Sequence, residues 1–446
     1  MRAQNHRARA GSLARKTPIV LLAALLTVAA TAAAAQVTGS IPPDSRTATP
    51  PWSGQSGASG DPRMSASAVR ADAAHFAGCL AGLWPAAARR GVSRGVFLHA
   101  TRGLTPDLHI MDLLDSQPAF TKSIWDYLDI LVTGARIAKG RALLDKYSDT
   151  FTRAERTYGV SRYIIAAIWG VESNYGEQVG DRPVLRSTAT LACVGRRQHY
   201  FRHEFLATLE ILQHHDVPQD RLVGSWAGAF GPTQFMPTAF LRYAVDFDSD
   251  GRRDVVDSAA DLIGSTANNL KKDGWASGET WGYEVVVPAT LDFIRVAGHS
   301  RLSIAEWQKL GIVRAGGKRF PHPHARAFLL MPAGIQGPGF LILHNFRVIM
   351  RYNPSEAYAL AIGHLADRLR GGGPFVQAWP RYEKVLSRGD RFELQELLER
   401  HGFDVGEPDG LIGARTRDAI RGYQARIGRI PDGFASASLL KHLRAQ

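Results

Sequence analysis

Several features that mark large classes of protein are missing from this sequence. It has no zinc-finger spacing, no arginine-rich tract and no RNP-like aromatic motif, so nucleic acid is not an expected partner. It has no repeat array and no series of long apolar runs, which excludes a multi-span membrane protein. At 45% hydrophobic and 21% charged residues, the composition is that of an ordinary globular protein. The 446 residues suffice for one large domain and an accessory module.

Acidic residues are absent before residue 36, whereas five basic ones are present: Arg2, Arg7, Arg9, Arg15 and Lys16. An apolar run, IVLLAALLTVAA, follows them, and a stretch of small residues ends at Ala35. This order predicts a secretory signal peptide over residues 1–35, cleaved after Ala35. An uncleaved anchor is the alternative, although the run is shorter than the roughly 20 residues of a bilayer span. We therefore expect a periplasmic protein with no stable membrane anchor.

The charge of the chain is basic. The formal net charge is +13, and removing the five basic residues of the predicted signal leaves about +8. Such a charge is consistent with an anionic partner, for example a cell-wall polymer that carries carboxylates. A surface charge that serves solubility alone explains it equally well.

Cysteine is scarce, because the chain has only Cys79 and Cys193. In an exported protein two thiols can pair, and we favour a disulfide between them. Two buried free thiols are the alternative, since a sequence does not supply the geometry that a disulfide needs.

The pattern of apolar residues divides the chain into parts. Residues 36–70, rich in Pro, Ser and Gly, predict a disordered linker. A large, predominantly α domain with a small β element (an α+β variant) is predicted over residues 71–371, then a linker at 372–386 and a three-helix module at 387–446. Within the large domain, helical spacing runs over 77–91, 123–157, 199–215 and 255–273, and β-prone runs occur at Tyr283–Val287 and Phe340–Ile342.

Glu172 lies near the end of an apolar segment, SRYIIAAIWGVESNYG. Ser161 can cap a helix here and Gly176 can end it. Ile168 and Trp169 precede Glu172 by four and three residues, and so share its face of the helix. Apolar neighbours and the negative end of the helix dipole both disfavour the charged carboxylate, so we expect a raised pKa, which suits a general acid. A glutamate that reaches solvent at the helix end is the alternative.

The segment DFDSDGRRDVVD, residues 246–257, has the spacing of an EF-hand calcium loop. The predicted ligands are Asp246, Asp248, Asp250, the backbone carbonyl of Arg252, Asp254 and Asp257. Gly251 stands where the loop turns sharply. Two departures weaken the site: position 12 is Asp instead of Glu, and position 8 is Arg253 instead of an apolar residue. We expect a structural Ca²⁺ here and no cofactor for catalysis.

Three segments, taken in order, resemble the motifs of lytic transglycosylases of the membrane-bound type B. They are the Glu-Ser-x-Tyr-Gly run at Glu172–Gly176, AGAFGPTQFMP at Ala227–Pro237, and NFRVIMRYN at Asn345–Asn353. The resemblance spans about residues 73–370 and implies a lysozyme-like catalytic domain. It implies cleavage of the bond between N-acetylmuramic acid and N-acetylglucosamine in peptidoglycan, with a 1,6-anhydro sugar as product.

The resemblance also implies roles for particular residues. Glu172 would be the catalytic acid and base. Ser225 would hydrogen-bond the sugar, Gln234 would line the cleft, and Tyr352 and Asn353 would close the site. Taken alone, Gln234 is equally explained as part of a capped turn, and Tyr352 as a core aromatic.

An arginine pair of the family matches Arg196 and Arg197, followed by Tyr200. The resemblance implies that this pair contacts the anionic peptide stem of the substrate, and guanidinium groups suit carboxylates. Two solvated surface arginines are the alternative.

The last part of the chain resembles the peptidoglycan-binding type 1 module over about residues 387–444. The matching residues include Pro408–Gly413, Thr416, Tyr423 and Pro431–Gly433. Most of them suit turns and core positions, so wall binding is implied by the resemblance and not by an individual residue. The expected partner of the whole protein is the peptidoglycan glycan strand, and we expect a monomer.

Other functions remain as alternatives to the transglycosylase. A muramidase that hydrolyses the same bond would need a way to admit water. A second acid near Glu172 is one such way, and Glu177 and Asp181 are candidates for it. A non-catalytic scaffold that binds the cell wall would not require the complete set of motifs. A calcium-dependent structural protein would leave the segments around Glu172 and Gln234 unexplained.

Overall fold

A computed structural model describes residues 51–57, 59–115, 122–296 and 301–446. The predicted signal peptide, residues 1–35, and the first part of the predicted linker, residues 36–50, lie outside these ranges. The second part of that linker, from Pro51, is described.

The prediction of a disordered linker is wrong for its described part, residues 51–57 and 59–70. Met64 is 1% exposed, and helix α1 (Ala66–Ala74) begins with Ser65 as its cap. Trp52 packs against the N-terminal core, and the Arg70 guanidinium lies 5.2 Å from the centre of its ring. The fold buries the few large apolar side chains of this polar stretch. The average composition of the stretch does not reveal them, and it therefore predicted disorder.

Helices make up most of the described chain. In the first half they are α1, α2 (Phe76–Gly82), α3 (Trp84–Arg89), α4 (Arg94–Thr101), α5 (His109–Asp115), α6 (Ile124–Leu131), α7 (Gly134–Lys146), α8 (Ser148–Tyr158), α9 (Arg162–Ser173), α10 (Val184–Cys193) and α11 (Gln198–His214). In the second half they are α12 (Pro237–Tyr243), α13 (Ala259–Lys272), α14 (Phe293–Val296), α15 (Ile304–Lys309), α16 (His344–Tyr352), α17 (Glu356–Leu369), α18 (Arg388–Arg400), α19 (Ala414–Arg426) and α20 (Ala437–Arg444). Among the described residues, no helix combines the length and the apolar character that crossing a bilayer requires.

The long helical pattern predicted at 123–157 is divided into three helices, α6, α7 and α8. Thr133 caps α7 by accepting a hydrogen bond from the Arg136 N–H, and Tyr147 leaves helical geometry between α7 and α8. Periodicity persists across such breaks because the same face continues to meet the core.

A five-stranded antiparallel sheet forms the β element. Its strands, in spatial order, are β4 (Leu302–Ser303), β6 (Arg326–Leu330), β7 (Gly339–Ile342), β3 (Gly282–Val286) and β5 (Val313–Arg314). The two β-prone runs found in the sequence are β3 and β7, which pair with each other, Tyr283 opposite Leu341. A small two-stranded ladder, β1 (Arg182–Pro183) and β2 (Val223–Gly224), lies near the site described below.

Two hydrophobic clusters build the main helical domain. One surrounds α9 with residues of α6, α7, α13, α16 and α17. The other joins α1 to α5 with α10 and α11. Cys79 in α2 and Cys193 at the end of α10 are joined by a disulfide, with Cα atoms 5.9 Å apart, which is the pairing that we favoured.

The C-terminal module consists of α18, α19 and α20 around its own core, as the apolar pattern predicts. It also contacts the main domain. Arg417 of α19 donates two hydrogen bonds to Glu356 at the start of α17, at 3.0 and 2.8 Å. The N–H of Ile335 donates to Asp432 of the module at 3.0 Å.

The predicted linker 372–386 is ordered and packs on the main domain. Phe375 stacks on His364 of α17 with ring centres 3.8 Å apart, and Trp379 packs against Trp125. The backbone N–H groups of Val376 and Gln377 both donate to the Glu284 carboxylate. This connector therefore fixes the path of the chain between the main domain and the module.

Candidate active site

Helix α9 runs through the centre of the main core. Every residue from Ile164 to Ser173 is buried, and Glu172 is 1% exposed. Ser161 stands at the N-cap position, but its side chain makes no capping hydrogen bond. Packing of the apolar faces, and not a capped start, therefore holds this helix.

The chain makes a sharp turn immediately after Glu172. The helix ends at Ser173, three residues before the end that we predicted at Gly176, because Asn174 is already left-handed at φ 50°. Tyr175 and Gly176 also have positive φ, at 61° and 92°. Ser173 holds the turn: its hydroxyl donates to the Pro232 carbonyl at 2.6 Å and accepts from the Gly176 N–H at 2.8 Å.

Tyrosine side chains surround the Glu172 carboxyl group. Tyr358 of α17 donates a hydrogen bond from its hydroxyl to Glu172 Oε1 at 2.7 Å. Burial and the charge of Glu172 raise the pKa of Tyr358 and of Tyr352, and they raise that of Tyr127 on α6 as well. Tyr127 and Tyr358 were not among the predicted site residues, because a tyrosine on an apolar helix face resembles any core aromatic.

Gln234 lies in a tight turn beside α9. Its backbone is left-handed at φ 55°, and Phe230 and Phe235 pair across the turn. The Gln234 side-chain amide donates to the carbonyls of Val179 and Gly231, both at 3.0 Å. The turn is thereby attached to the loop that follows Glu172.

Tyr352 connects the same turn to the third motif. Its hydroxyl donates to the Thr233 carbonyl at 2.5 Å, and its ring meets Phe235 edge-on. Asn353 follows it as the C-cap of α16 and is 3% exposed. The first, second and third motifs, far apart in sequence, therefore meet around Glu172.

Ser225 is half-buried just after β2. Its hydroxyl accepts a hydrogen bond from the Ala229 N–H at 3.1 Å, and its own N–H donates to the Ala229 carbonyl at 2.8 Å. Gly180, of the loop after Glu172, passes so close that a Cβ there would lie 2.8 Å from the Ser225 nitrogen. The ladder of β1 and β2 thus brings Ser225 against the loop that leaves the catalytic helix.

Arg196, Arg197 and Tyr200 lie together where α10 passes into α11. Arg196 donates to the Leu114 carbonyl at 2.9 Å, and the Arg197 guanidinium lies 4.8 Å from the centre of the Tyr200 ring. Burial, followed by the charge of Glu204, raises the pKa of Tyr200. At least part of this trio therefore has structural partners.

The two candidate second acids differ from Glu172 in their surroundings. Glu177 is exposed and forms an ion pair with Lys139 at 2.5 Å. The hydrogen bond from Lys139 holds the pKa of Glu177 below its usual value. Asp181 is exposed as well. Neither shares the buried setting of Glu172, and the carboxylate of Glu177 is already engaged by Lys139.

The acidic loop between α12 and α13 gathers three of the five carboxylates that the spacing predicts, together with one that it does not predict. Oxygen atoms of Asp246, Asp248, Asp250 and Asp261 lie within 4.8 Å of one another. Gly251 makes the expected turn at φ 92°. Asp261, in the first turn of α13, is fully buried and was not predicted.

The predicted ligands Asp254 and Asp257 lie outside this group. Asp257 forms an ion pair with Arg221, and Asp254 accepts hydrogen bonds from the N–H groups of Val256 and Asp257. Asp257 thus has an arginine partner in place of the other loop carboxylates, and its predicted role as the last calcium ligand stays a prediction. Arg253, the departure at position 8, pairs with the buried Asp216 at 2.6 Å.

A mostly helical fold that buries one glutamate at a helix end, with three motifs closing around it, defines a lysozyme-like enzyme. The model of the transglycosylase SLT domain family matches residues 75–367, and a model of peptidoglycan-binding domains matches residues 387–443. The chain belongs to the transglycosylase SLT domain family and is a lytic transglycosylase with a peptidoglycan-binding module.

Relatives agree with this assignment. Membrane-bound lytic murein transglycosylase B of Escherichia coli is 32% identical over 272 residues, which are 58% of this chain and 73% of that protein. Crystal structures of SltB3 from Pseudomonas aeruginosa, in complex with NAG-anhNAM-pentapeptide and with NAG-NAM-pentapeptide, share 44% identity. They superpose with a TM-score of 0.80 and cover 83% of this chain and 99% of theirs. The Escherichia coli transglycosylase Slt35 in complex with calcium is 26% identical with a TM-score of 0.54, covering 71% of this chain and 95% of that one.

Proposed function

We propose that this lytic transglycosylase cleaves the β-1,4 bond between N-acetylmuramic acid and N-acetylglucosamine in peptidoglycan and leaves 1,6-anhydro ends. The observation that carries the proposal is the buried carboxyl group of Glu172, held by Tyr358 at the meeting point of the three motifs. The family and the muropeptide complexes of SltB3 support it.

The surroundings of Glu172 suit an acid that later acts as a base. Burial and the C-terminal end of α9 disfavour the carboxylate, so the group can keep its proton until substrate arrives. In the first step Glu172 gives this proton to the glycosidic oxygen as the bond from that oxygen to the muramoyl C1 breaks. The resulting carboxylate can accept the hydrogen bond of Tyr358, which favours its charged form.

In the second step Glu172 removes the proton of the muramoyl C6 hydroxyl group, whose oxygen bonds to C1. The proton returns to Glu172, and no water is consumed. Two-carboxylate hydrolysis needs a second acid to activate a water or to attack the sugar. Glu177 is held by Lys139 and Asp181 is exposed, whereas the intramolecular reaction needs neither of them.

Other residues of the three motifs would bind the sugar. Ser225 and Asn353 present polar side chains beside the loop and helix that frame Glu172, and we assign them to hydrogen bonds with the substrate. Gln234 and Tyr352 would shape the cleft by fixing the turn at 231–235. Arg196 and Arg197, with Tyr200 beside them, would meet the anionic peptide stem, with Arg197 the better candidate because Arg196 already donates to Leu114.

The acidic loop fits a structural calcium ion. Carboxylate oxygens are the ligands that Ca²⁺ prefers, and four carboxylates lie close enough to share one ion. An ion there would relieve the repulsion among Asp246, Asp248 and Asp250 and hold the loop against α13. The chemistry at Glu172 does not require it.

An exported enzyme fits this substrate. The predicted signal peptide, residues 1–35, would carry the chain to the periplasm, and the module at 387–446 would bind it to the wall.

The first test is mass analysis of the muropeptides that the protein lacking residues 1–35 releases from purified peptidoglycan. We expect products lighter than hydrolytic ones by one water, about 18 Da, and resistant to borohydride. Glu172→Gln should keep the fold and lose all but about a thousandth of the activity, since the amide can neither give nor take the proton.

Glu177→Gln is the matched control and should retain the wild-type rate. Borohydride-reducible products would make the protein a muramidase, and more than a few per cent activity in Glu172→Gln would overturn the role of Glu172. Wall binding without any product would favour the scaffold.

A further inference from the structure

A cavity of about 390 Å³ lies between the main domain and the C-terminal module. Strands β6 and β7 and helices α14 and α16 form one wall, and α19 with the turn at Asp432–Gly433 forms the other. Its volume lies in the range of small-ligand sites, which are roughly 300–1,000 Å³. It is separate from the residues that surround Glu172.

The carboxylates of this cavity are already paired. Both oxygens of Glu356 accept from Arg417, and both oxygens of Asp432 accept hydrogen bonds, from the Ile335 N–H and the Gln424 amide. Asp418 accepts from Arg421 at 2.7 Å. The acids of the cavity are therefore engaged in holding the module and the main domain in place.

One cation of the cavity differs from its neighbours. Of the four arginines that line it, Arg351, Arg417 and Arg421 donate hydrogen bonds to the protein. Arg347 makes none that the structure shows among the described residues, and its guanidinium lies 3.9 Å from the centre of the Phe328 ring, which fixes it by stacking. Burial, and then the nearby Arg301, lowers the pKa of Arg347, but an arginine stays charged at neutral pH.

The rest of the wall around Arg347 is apolar. Leu330, Ile342 and Met350 line it beside Phe328, and Phe293 and Val296 extend it. An apolar surface next to an oriented guanidinium suits a ligand that joins small apolar groups to a carboxylate. A neutral sugar hydroxyl group can also accept from a guanidinium, but only a carboxylate forms the charge-assisted, two-fold hydrogen bond that the planar group offers.

We propose that this cavity binds the carboxylate end of a short peptide of small side chains, the kind of peptide that peptidoglycan strands carry. The inference rests on the proposed substrate. The Arg347 guanidinium would donate two hydrogen bonds to the carboxylate, and the adjacent methyl groups would pack against the apolar wall. Because α19 forms the second wall, the site is complete only when the C-terminal module is docked on the main domain. Binding of the peptide there would make peptide-bearing strands better substrates than strands without peptides.

The test compares strands that carry peptides with strands stripped of them by an amidase. Arg347→Gln should raise KM about tenfold for peptide-bearing strands, leave kcat nearly unchanged, and leave both constants unchanged for stripped strands. Arg347→Lys keeps the charge but loses the planar group that can donate two parallel hydrogen bonds. Its KM for peptide-bearing strands should lie between those of the wild type and Arg347→Gln. The matched control is Arg89→Gln, at an exposed arginine of α3, which should change nothing.

Calorimetry with a free pentapeptide gives an independent measurement. Wild-type protein should bind it, and Arg347→Gln should bind about tenfold more weakly. An equal KM for wild type and Arg347→Gln on peptide-bearing strands, or equal binding of the peptide, overturns the proposal. If neither kind of strand is cut by wild type, the proposed function fails, and peptide binding alone then decides whether the cavity is the site.

Discussion

One hydrogen bond at the candidate site joins residues 186 positions apart. Tyr358 donates to Glu172 at 2.7 Å, and both side chains are buried. Nothing in the sequence near Tyr358 indicates this contact. It depends on α17 packing against α9, which places a hydroxyl group at the end of the catalytic helix.

Removing that hydroxyl group should slow the reaction without weakening substrate binding. A hydrogen bond to a charged group contributes about 1.5–3 kcal/mol, so we expect Tyr358→Phe to lower kcat by roughly 10- to 150-fold. KM should change little, because the bond acts on Glu172 and not on the sugar. Steady-state kinetics on soluble glycan strands would check both constants.

A control of the same type removes another tyrosine–carboxylate hydrogen bond, which is partly buried. Tyr243 donates to Asp273 at 2.8 Å, and Tyr243→Phe should lower stability but keep kcat. If Tyr358→Phe retains full kcat, or if both variants lose it equally, the hydrogen bond to Glu172 has no part in the chemistry.

At the scale of elements, the acidic loop shows how a motif can be found while the membership of its carboxylate cluster is missed. The spacing located Asp246, Asp248, Asp250 and Gly251, but the fourth carboxylate of the cluster, Asp261, comes from α13 and not from position 12. Asp261 accepts hydrogen bonds from the N–H groups of Phe247 and Asp254, so the start of α13 closes the loop. A local pattern cannot show where the next helix begins relative to the loop.

Calcium should stabilise the protein through Asp261 and not through Asp257. An ion at a hundred times its Kd adds about 2.7 kcal/mol to the free energy of unfolding, so Tm should rise with Ca²⁺ in the wild type. Asp261→Asn should lose this increase, and Asp257→Asn, the matched control, should keep it. Thermal unfolding with calcium and with chelator measures the difference.

Each variant is compared with its own chelated state, because Asp261 also supports the backbone of the loop. An unchanged increase in Asp261→Asn would remove this residue from the site. A melting curve of the wild type that does not respond to calcium would remove the site itself.

At the scale of the whole molecule, the connector and the module pack on the catalytic domain. Phe375 and Trp379 insert into its aromatic core, and Arg417 pairs with Glu356 only two residues before Tyr358 on the same helix. The end of α17 that presents Tyr358 to Glu172 is thus also an end that the module holds.

The stability of the assembled protein should fall in mild acid through His364. Burial, and then the nearby Arg368, lowers the pKa of His364 to about 4, while the unfolded chain has the ordinary value of about 6.5. The unfolded state therefore binds more protons between these values, and stability is lost as pH falls from about 6.5 towards 4. The cost reaches about 3 kcal/mol at the acid end.

His364→Gln, which cannot take up the proton, should show a smaller loss of unfolding free energy between pH 7 and pH 4.5 than the wild type. His99→Gln, at an exposed histidine of α4, serves as the control and should follow the wild type. Denaturant unfolding at the two pH values gives the comparison, and parallel losses in all three proteins would contradict the role of His364.

The sequence by itself determined the class of fold, the two β-prone runs that pair, the three-helix module and the candidate catalytic glutamate. These follow from short-range regularities: the spacing of apolar residues along an element, and motifs whose members are close in the chain. The presence of only two cysteines and the predicted signal peptide also favoured the disulfide between Cys79 and Cys193, which the structure contains.

Only the tertiary structure decided which groups surround Glu172, which carboxylate closes the acidic loop, and how the module meets the catalytic domain. Tyr127, Tyr358 and Asp261 looked like ordinary core or helix residues until packing placed them. The linker before α1 looked disordered because its few large side chains find their partners far away in sequence. Contacts between distant segments depend on how helices pack, and that is set by the complementary shapes of whole faces, which no local pattern records.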